Sequence, residues 1–375
     1  MSIYMNNSED SNNLIFIQGN LYPYDLGGHE VFNFYFYKEL KKYFNVKVLS
    51  NYKRPNEISK SDYLKITNLK PLVLFFPLFA FIKLLKLLKF LKPKPTVILT
   101  FSRSSWINWW PYPILNKIFK LNYIIIIHGG GLSKWKWKYP FLKLFQKATD
   151  VIGISDRICT EYSNRTGVNI KQLLPLIPFE KSLIEKEKLK NKWNIKKEEK
   201  IFLIVGSIKP LKNPDTVVSA AEILGIEFLK ENKIKFVFAG NGILLPEIKS
   251  RVEMLKFENY FKFLGNIPRN LISEIYGMSD VYIINSDFEG TPLSLLEAIY
   301  NKLSIIAADS PGINNVIKHG FNGDLYKTKD PKELAKSIKA SLSINNILIE
   351  NATQTLEKDF DYDKMINEYK LIFKR

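Results

Sequence analysis

Two kinds of hydrophobic pattern alternate along this chain. Short runs dense in Ile, Val, Leu and Phe fall at 14–18, 46–50, 97–101, 123–127 and 151–154. A second series falls at 201–205, 235–239, 261–264, 281–284 and 304–307. Apolar runs of that length, often followed by glycine, predict strands buried on both faces, as in parallel sheets. Between them lie stretches with apolar residues at helical spacing, so the alternation predicts α/β layers. Residues 176–200, LIPFEKSLIEKEKLKNKWNIKKEEK, interrupt the series with a proline turn and a charged run. They predict an exposed linker and a first helix. The two series therefore predict two Rossmann-like domains with parallel sheets facing across a cleft. Ligands of such sheets bind beyond the carboxyl ends of the strands.

Composition narrows the class. The 375 residues are 46% hydrophobic and 25% charged, which excludes a disordered tail and a disulfide miniprotein. The single cysteine, Cys159, excludes an intramolecular disulfide and a cysteine-built metal site. His29, His128 and His319 are scattered without metal-ligand spacing. The opening residues, MSIYMNNSEDSNN, are polar and acidic, unlike a signal peptide, so the expected location is cytoplasmic.

The formal charge is +18, and it is unevenly placed. Residues 1–175 hold 25 basic and 10 acidic side chains, and residues 176–375 hold 30 and 27. A field of that sign favours anionic partners. At 81–92, FIKLLKLLKFLK sets Lys83, Lys86, Lys89 and Lys92 on one side of a helix and Leu84, Leu87, Leu88 and Leu91 on the other. Such a helix either packs on its own sheet or lies at a lipid interface. Trp135, Trp137 and Tyr139, interleaved with Lys134, Lys136 and Lys138, have the same two uses. The apolar run at 72–82, interrupted by Pro77, falls short of the roughly 20 residues of a membrane span. The charge of the first half tips the expectation toward peripheral contact with an anionic membrane. No nucleic-acid module is visible, and nucleic acid is not an expected partner.

Candidate chemistry concentrates at 286–298, SDFEGTPLSLLEA, which follows a predicted strand. Thr291 is placed to cap a helix whose first residue is Pro292. Glu289 precedes that helix and Glu297 lies within it, roughly 10 Å further along by helical rise. By spacing alone they suit either a surface helix with two solvated carboxylates or a site holding two parts of one ligand. Gly206, Ser207, Lys209 and Lys212 follow another strand and read as a tight turn or as a phosphate-facing loop. Gly27 and Gly28 lead into a helix, and His128 precedes three glycines after a strand. Asn241, between Gly240 and Gly242, reads as a turn or a base contact.

In order and spacing these motifs resemble the retaining glycosyltransferases of family 4, which have the GT-B fold. The resemblance runs from Gly27-Gly28 to about Gly323, and its most specific element is Glu289-x7-Glu297 with Gly290, Thr291, Pro292 and Leu293. It implies that Glu289 binds donor-sugar hydroxyls, Glu297 the nucleotide ribose, and the amides of 290–293 the sugar or phosphates. Lys212 matches the phosphate-binding lysine, His128 the acceptor-domain histidine that reaches the donor sugar, and Gly28 the glycine loop beside the diphosphate. The implied division is an acceptor domain at 1–178, a donor domain at 179–355, and a C-terminal helix at 356–375 crossing back to the first. Three positions depart from the pattern. Ser207 stands where the family commonly has Arg, Leu176-Ile-Pro178 replaces an Asn-Gly junction, and Asn315 occupies a position that is commonly Glu.

No Asp-x-Asp follows a strand. Asp359-Phe-Asp361 and Asp361-Tyr-Asp363 read as an acidic helix start. The resemblance implies transfer without metal or other cofactor, the leaving diphosphate being balanced by Lys212, helix starts and glycine-loop amides. The expected activity is retaining transfer from a UDP- or GDP-sugar to a glycan or polyprenyl-diphosphate-linked acceptor, in bacterial surface polysaccharide biosynthesis. The expected site of action is the inner face of the plasma membrane. A sugar-nucleotide epimerase and a non-catalytic sugar-nucleotide binder are the alternatives.

Overall fold

Both strand series form parallel sheets. The computed structural model describes residues 13–18, 28–50, 53–65, 82, 84–88, 91, 93–101, 112–128, 139–174, 178–343 and 345–374. The chain divides into two units, Met1–Pro178 with Tyr362–Arg375, and Phe179–Asp361.

The first unit contains β1 (Asn13–Gln18), α1 (Gly28–Lys41), β2 (Asn45–Ser50), β3 (Tyr63–Lys65), β4 (Thr96–Phe101) and α2 (Tyr112–Phe119). It continues with β5 (Tyr123–Ile127), α3 (Tyr139–Gln146), β6 (Asp150–Gly153), α4 (Asp156–Thr166) and β7 (Lys171–Gln172). Its sheet has the order β3-β2-β1-β4-β5-β6-β7, with parallel pairing throughout.

The second unit runs α5 (Lys186–Lys192), β8 (Lys200–Val205), α6 (Pro214–Leu224), α7 (Ile226–Glu231), β9 (Ile234–Ala239), α8 (Leu245–Met254) and β10 (Phe261–Gly265). It goes on through α9 (Ile272–Gly277), β11 (Val281–Ile284), α10 (Leu293–Tyr300), β12 (Ser304–Asp309), β13 (Asp324–Lys327), α11 (Pro331–Ala340) and α12 (Asn346–Asp359). Its order is β10-β9-β8-β11-β12-β13, again parallel. Each sheet grows outward in both directions from a central pair, β1 with β4 and β8 with β11. A crevice opens at such a reversal because the helices on either side leave in opposite directions.

The apolar runs are continuous because both faces of the second sheet are covered. Ile201, Leu203, Tyr282, Ile284, Ile305 and Ala307 pack into one core with α9, α10 and α12. Their alternate neighbours Phe202, Val281, Ile283, Ile306 and Ala308 pack into another with α6, α8 and α11. The period of two along each strand thus feeds two cores.

A last helix, α13 (Tyr362–Phe373), belongs to the first unit. Its Tyr369 ring meets Phe36 of α1 edge-on at 5.0 Å, and its hydroxyl donates to the Leu174 carbonyl at 3.1 Å. Phe373 packs on Phe36 and Phe44. Each such buried aromatic contributes about 1.5–3 kcal/mol to holding the helix there.

Several sequence expectations need correction. Strand β6 ends at Gly153 rather than at 154, and β12 extends to Asp309. Strands β3, β7 and β13 were not expected, because they are short or polar edge strands without an apolar run. Asp359 closes α12 while Asp363 lies in the first turn of α13, so the acidic pairs straddle a junction instead of opening one helix. In the Lys/Leu segment Leu84 is fully buried and Lys86 is exposed. Lys83, Lys89 and Lys92 lie outside the described residues, as do Gly27, Trp135, Trp137 and the three glycines after His128. Among the described residues no helix is long and apolar enough to cross a membrane.

Candidate functional site

The crevice at β8 and β11 is a cavity lined by Gly206, Ser207 and Lys212 from one strand end and by Asn285 and Ser286 from the other. Its floor is apolar, including Ile204, Phe238 and Ile283. Two loops build its wall in direct contact. The Gly206 amide donates to the Ala239 carbonyl at 3.0 Å, and the Ile208 amide to the Asn241 carbonyl at 2.9 Å. A Cβ on Gly240, whose φ is +155°, would lie 1.9 Å from the Gly206 carbonyl oxygen. Asn241 is therefore part of the brace that shapes the Gly206 loop, and its side chain accepts from the Gly242 amide at 2.8 Å.

After Gly206 the chain makes a 3-10 turn, Pro210–Lys212, and enters α6 through Asn213 in a left-handed conformation, φ 42°. Asn213 is buried and donates to the Asn285 carbonyl at 3.0 Å and to Asp287 at 2.7 Å. Lys329 pairs with the other oxygen of Asp287 at 2.7 Å. Burial opposes ionisation of Asp287, but the Lys329 and Asn213 hydrogen bonds hold its carboxyl below the usual range. This clamp fixes the position of Lys212.

Lys212 Nζ forms an ion pair with Glu289 Oε1, and Ser286 Oγ donates to the same oxygen at 2.6 Å. Both contacts fall on one carboxylate oxygen. The Glu289 backbone is held by its amide to the Pro311 carbonyl at 3.0 Å. Gly312, φ +90°, packs so closely that a Cβ there would sit 2.0 Å from the Glu289 carbonyl oxygen. Ser310 donates to the Ser286 carbonyl at 2.7 Å, closing the frame.

The helix start differs from the expected one. Helix α10 begins at Leu293, with Pro292 in the cap position and no side-chain cap, so Thr291 is not the N-cap. The Leu293 amide donates to the Thr291 carbonyl at 2.9 Å, and Pro292 has no N–H. Neither can offer an amide to a ligand in this conformation. Gly290 adjoins open space.

Glu297 is buried, not solvated. Its Oε1 pairs with Arg269, and the single Tyr276 hydroxyl proton is shared between Oε2 at 3.0 Å and the Ser294 carbonyl at 3.1 Å. The Tyr282 hydroxyl donates to Ser294 Oγ at 2.7 Å. Burial raises the Tyr282 phenol well above its ordinary pKa, and the charges of Glu289 and Glu297 add to this against the Ser294 hydrogen bond.

The structure gathers Gly206, Ser207, Lys212 and Ser286 around one cavity, and Glu289 joins it through its contacts with Lys212 and Ser286. Lys209 is exposed on the same loop. His128 and Gly28 belong to the first unit, where the His128 ring packs on Phe32 of α1 at 4.1 Å. Ser286, Asn213, Asp287, Arg269, Tyr276 and Gly312 were not identified from the sequence as site residues. Among the described residues no group of three or more His, Cys, Asp or Glu is arranged to hold a metal ion.

Residues 185–355, which carry this cavity, match the family model of glycosyl transferases group 1. The second unit belongs to that family. The group 1 unit and its neighbour together have the GT-B fold, as in the crystal structure of Anabaena HepE in complex with UDP. That likeness has a TM-score of 0.74 at 17% identity and covers 96% of this chain and 98% of the other. An uncharacterized glycosyltransferase of Methanocaldococcus jannaschii is 31% identical over 244 residues, 62% of this chain and 60% of its own. The UDP-Gal:alpha-D-GlcNAc-diphosphoundecaprenol alpha-1,3-galactosyltransferase of Escherichia coli is 27% identical over 211 residues, 55% of this chain and 52% of its own. The chain thus spans between half and two thirds of the length of these curated relatives.

Proposed function

We propose that the protein transfers a hexosyl group, with retention, from a UDP-sugar to a glycan or lipid-linked acceptor in surface polysaccharide biosynthesis. The observation that carries this reading is the placement of both Lys212 and Ser286 on Oε1 of Glu289. That arrangement directs Oε2 to accept from sugar hydroxyls. It also keeps an ammonium beside the Gly206 loop, where a diphosphate meets backbone amides. The UDP bound by Anabaena HepE and the UDP-Gal donor in the name of the Escherichia coli relative favour uridine over guanosine.

In the transfer, the bond between the anomeric carbon and the β-phosphate oxygen breaks and its electron pair stays with UDP. The acceptor hydroxyl oxygen bonds to the same face of the anomeric carbon, and its proton passes to the β-phosphate. Lys212, with Lys209 in place of the family's arginine, balances the developing charge. Glu297 holds the ribose. No metal takes part, so EDTA leaves the rate unchanged. The reaction takes place peripherally at the inner face of the plasma membrane.

The test incubates the protein with UDP-glucose, UDP-galactose and their N-acetyl forms, together with undecaprenyl-diphosphate-linked saccharides. Release of UDP with an α-linked product from an α-linked donor supports the reading. A β-linked product contradicts retention, and absence of UDP release with every donor contradicts the activity.

A further inference from the structure

The positive charge of the first unit has a sharper boundary than its total suggests. Between Asp62 and Asp150 the chain has no acidic residue, and residues 63–149 carry 15 Lys and Arg. Outside that segment, the first 175 residues hold equal numbers of acidic and basic side chains. The described structure within it presents one helix with an unusual outer face. In α2, Tyr112 and Leu115 are buried against the unit. The other side leaves Ile114 46% exposed and Ile118 64%, and Phe119, on the last turn, is 40% exposed. The four residues Lys117-Ile-Phe-Lys120 are consecutively exposed. Lys94 joins them, its Nζ donating to the Phe119 carbonyl at 3.2 Å. None of these three lysines pairs with a carboxylate among the described residues.

We infer that the outer face of α2, with Lys94, is a docking surface for an anionic lipid bilayer. The inference rests on the proposed lipid-linked acceptor for its purpose, and names the surface that brings the protein to it. A second copy of the chain does not fit, since two acid-free faces repel. A nucleic acid would satisfy the lysines but leave Ile118 and Phe119 in water. A bilayer satisfies both, the ammonium groups at the headgroup level and the side chains of Ile114, Ile118 and Phe119 in the apolar layer below.

The full chain is mixed with vesicles of phosphatidylcholine, alone or with phosphatidylglycerol, and the bound fraction is measured by sedimentation. Wild type is expected to bind only the anionic vesicles. Each lysine near an anionic surface strengthens binding roughly fivefold, so Lys117→Gln/Lys120→Gln weakens it roughly 25-fold. Ile118→Ser/Phe119→Ser weakens it without changing the charge. Lys117 and Lys120 are exposed, so the lysine variant keeps the wild-type unfolding midpoint, and Ile118→Ser/Phe119→Ser, whose Phe119 is partly buried, is compared with wild type at a temperature where circular dichroism shows both fully folded. Binding by both variants equal to wild type overturns the inference, as does absence of wild-type binding to anionic vesicles. Lysine-dependent binding that ignores Ile118→Ser/Phe119→Ser, and that duplex RNA competes away, would assign the face to nucleic acid and also overturn it. A missing UDP effect on wild-type unfolding counts against the transfer reading alone and leaves the vesicle result standing.

Discussion

Lys212 and Glu289, 77 positions apart, meet at the carboxyl ends of two adjacent parallel strands. Each follows a strand of the central pair, so their meeting is a consequence of the sheet order β10-β9-β8-β11-β12-β13. A cation and a carboxylate are thereby presented side by side, each restraining the other, in the places that the proposed phosphate and hydroxyl contacts require.

Lys212→Ala removes the cation from that pair. Loss of one preorganised group that meets developing charge costs about 100-fold or more in kcat. Steady-state kinetics on the Ala variant should show that loss, and Lys212→Arg should recover part of it. An unchanged kcat contradicts the assignment.

Arg269 and Tyr276 hold a buried carboxylate. Removing Arg269 leaves Glu297 without its charge partner, and breaking a buried pair from one side costs about 3–5 kcal/mol. Urea unfolding of Arg269→Ala should report a loss of that size. Tyr276→Phe removes one hydrogen bond to a charged group and should cost about 1.5–3 kcal/mol. Arg269→Ala combined with Glu297→Met should be more stable than Arg269→Ala alone.

Asp287 gives the site an acid limit. Its folded pKa lies below the unfolded value of about 3.9, so the unfolded chain takes up the proton first as the pH falls. The stabilisation is therefore complete above about pH 5 and disappears as the pH drops through the folded value. Asp287→Asn should flatten the stability profile over that acid interval and lower stability at neutral pH. Urea midpoints measured across the interval test both.

Two glycines should separate strain from ligand contact. Gly240→Ala drives a Cβ into the Gly206 carbonyl and should destabilise the unit by about 1–3 kcal/mol while displacing the Gly206 loop. Gly290→Ala meets nothing within 4 Å, so its stability should stay within about 0.5 kcal/mol of wild type while kcat/KM falls. Calorimetry and kinetics on the two variants give the comparison.

Much of this architecture was legible in the sequence because buried parallel strands need apolar residues at consecutive positions. The runs at Tyr123–Ile127 and Val281–Ile284 marked their strands to the residue. Strand β13, Asp324–Lys327, sits at a sheet edge with only Tyr326 buried, and so left no apolar run to read. Glu289 and Glu297 were legible by spacing, but their environments were not. Arg269 and Tyr276 reach Glu297 from a separate turn and helix, and Gly312 reaches Glu289 from beyond β12, contacts that only the fold creates. The Thr291-Pro292 pair imitates a capped helix start. The chain instead spends the Leu293 amide on Thr291, which delays the helix by one residue.

The central claim is that the Lys212–Glu289 crevice binds a nucleoside diphosphate. Thermal unfolding of the purified protein with and without UDP, repeated for Lys212→Ala and Glu297→Ala, tests it most directly. At about 100 times its dissociation constant, UDP should stabilise wild type by roughly 2.7 kcal/mol and raise its midpoint, and both variants should lose most of that rise. An equal rise in all three proteins would place the nucleotide elsewhere, and no rise in wild type with UDP, GDP or CMP would contradict the claim.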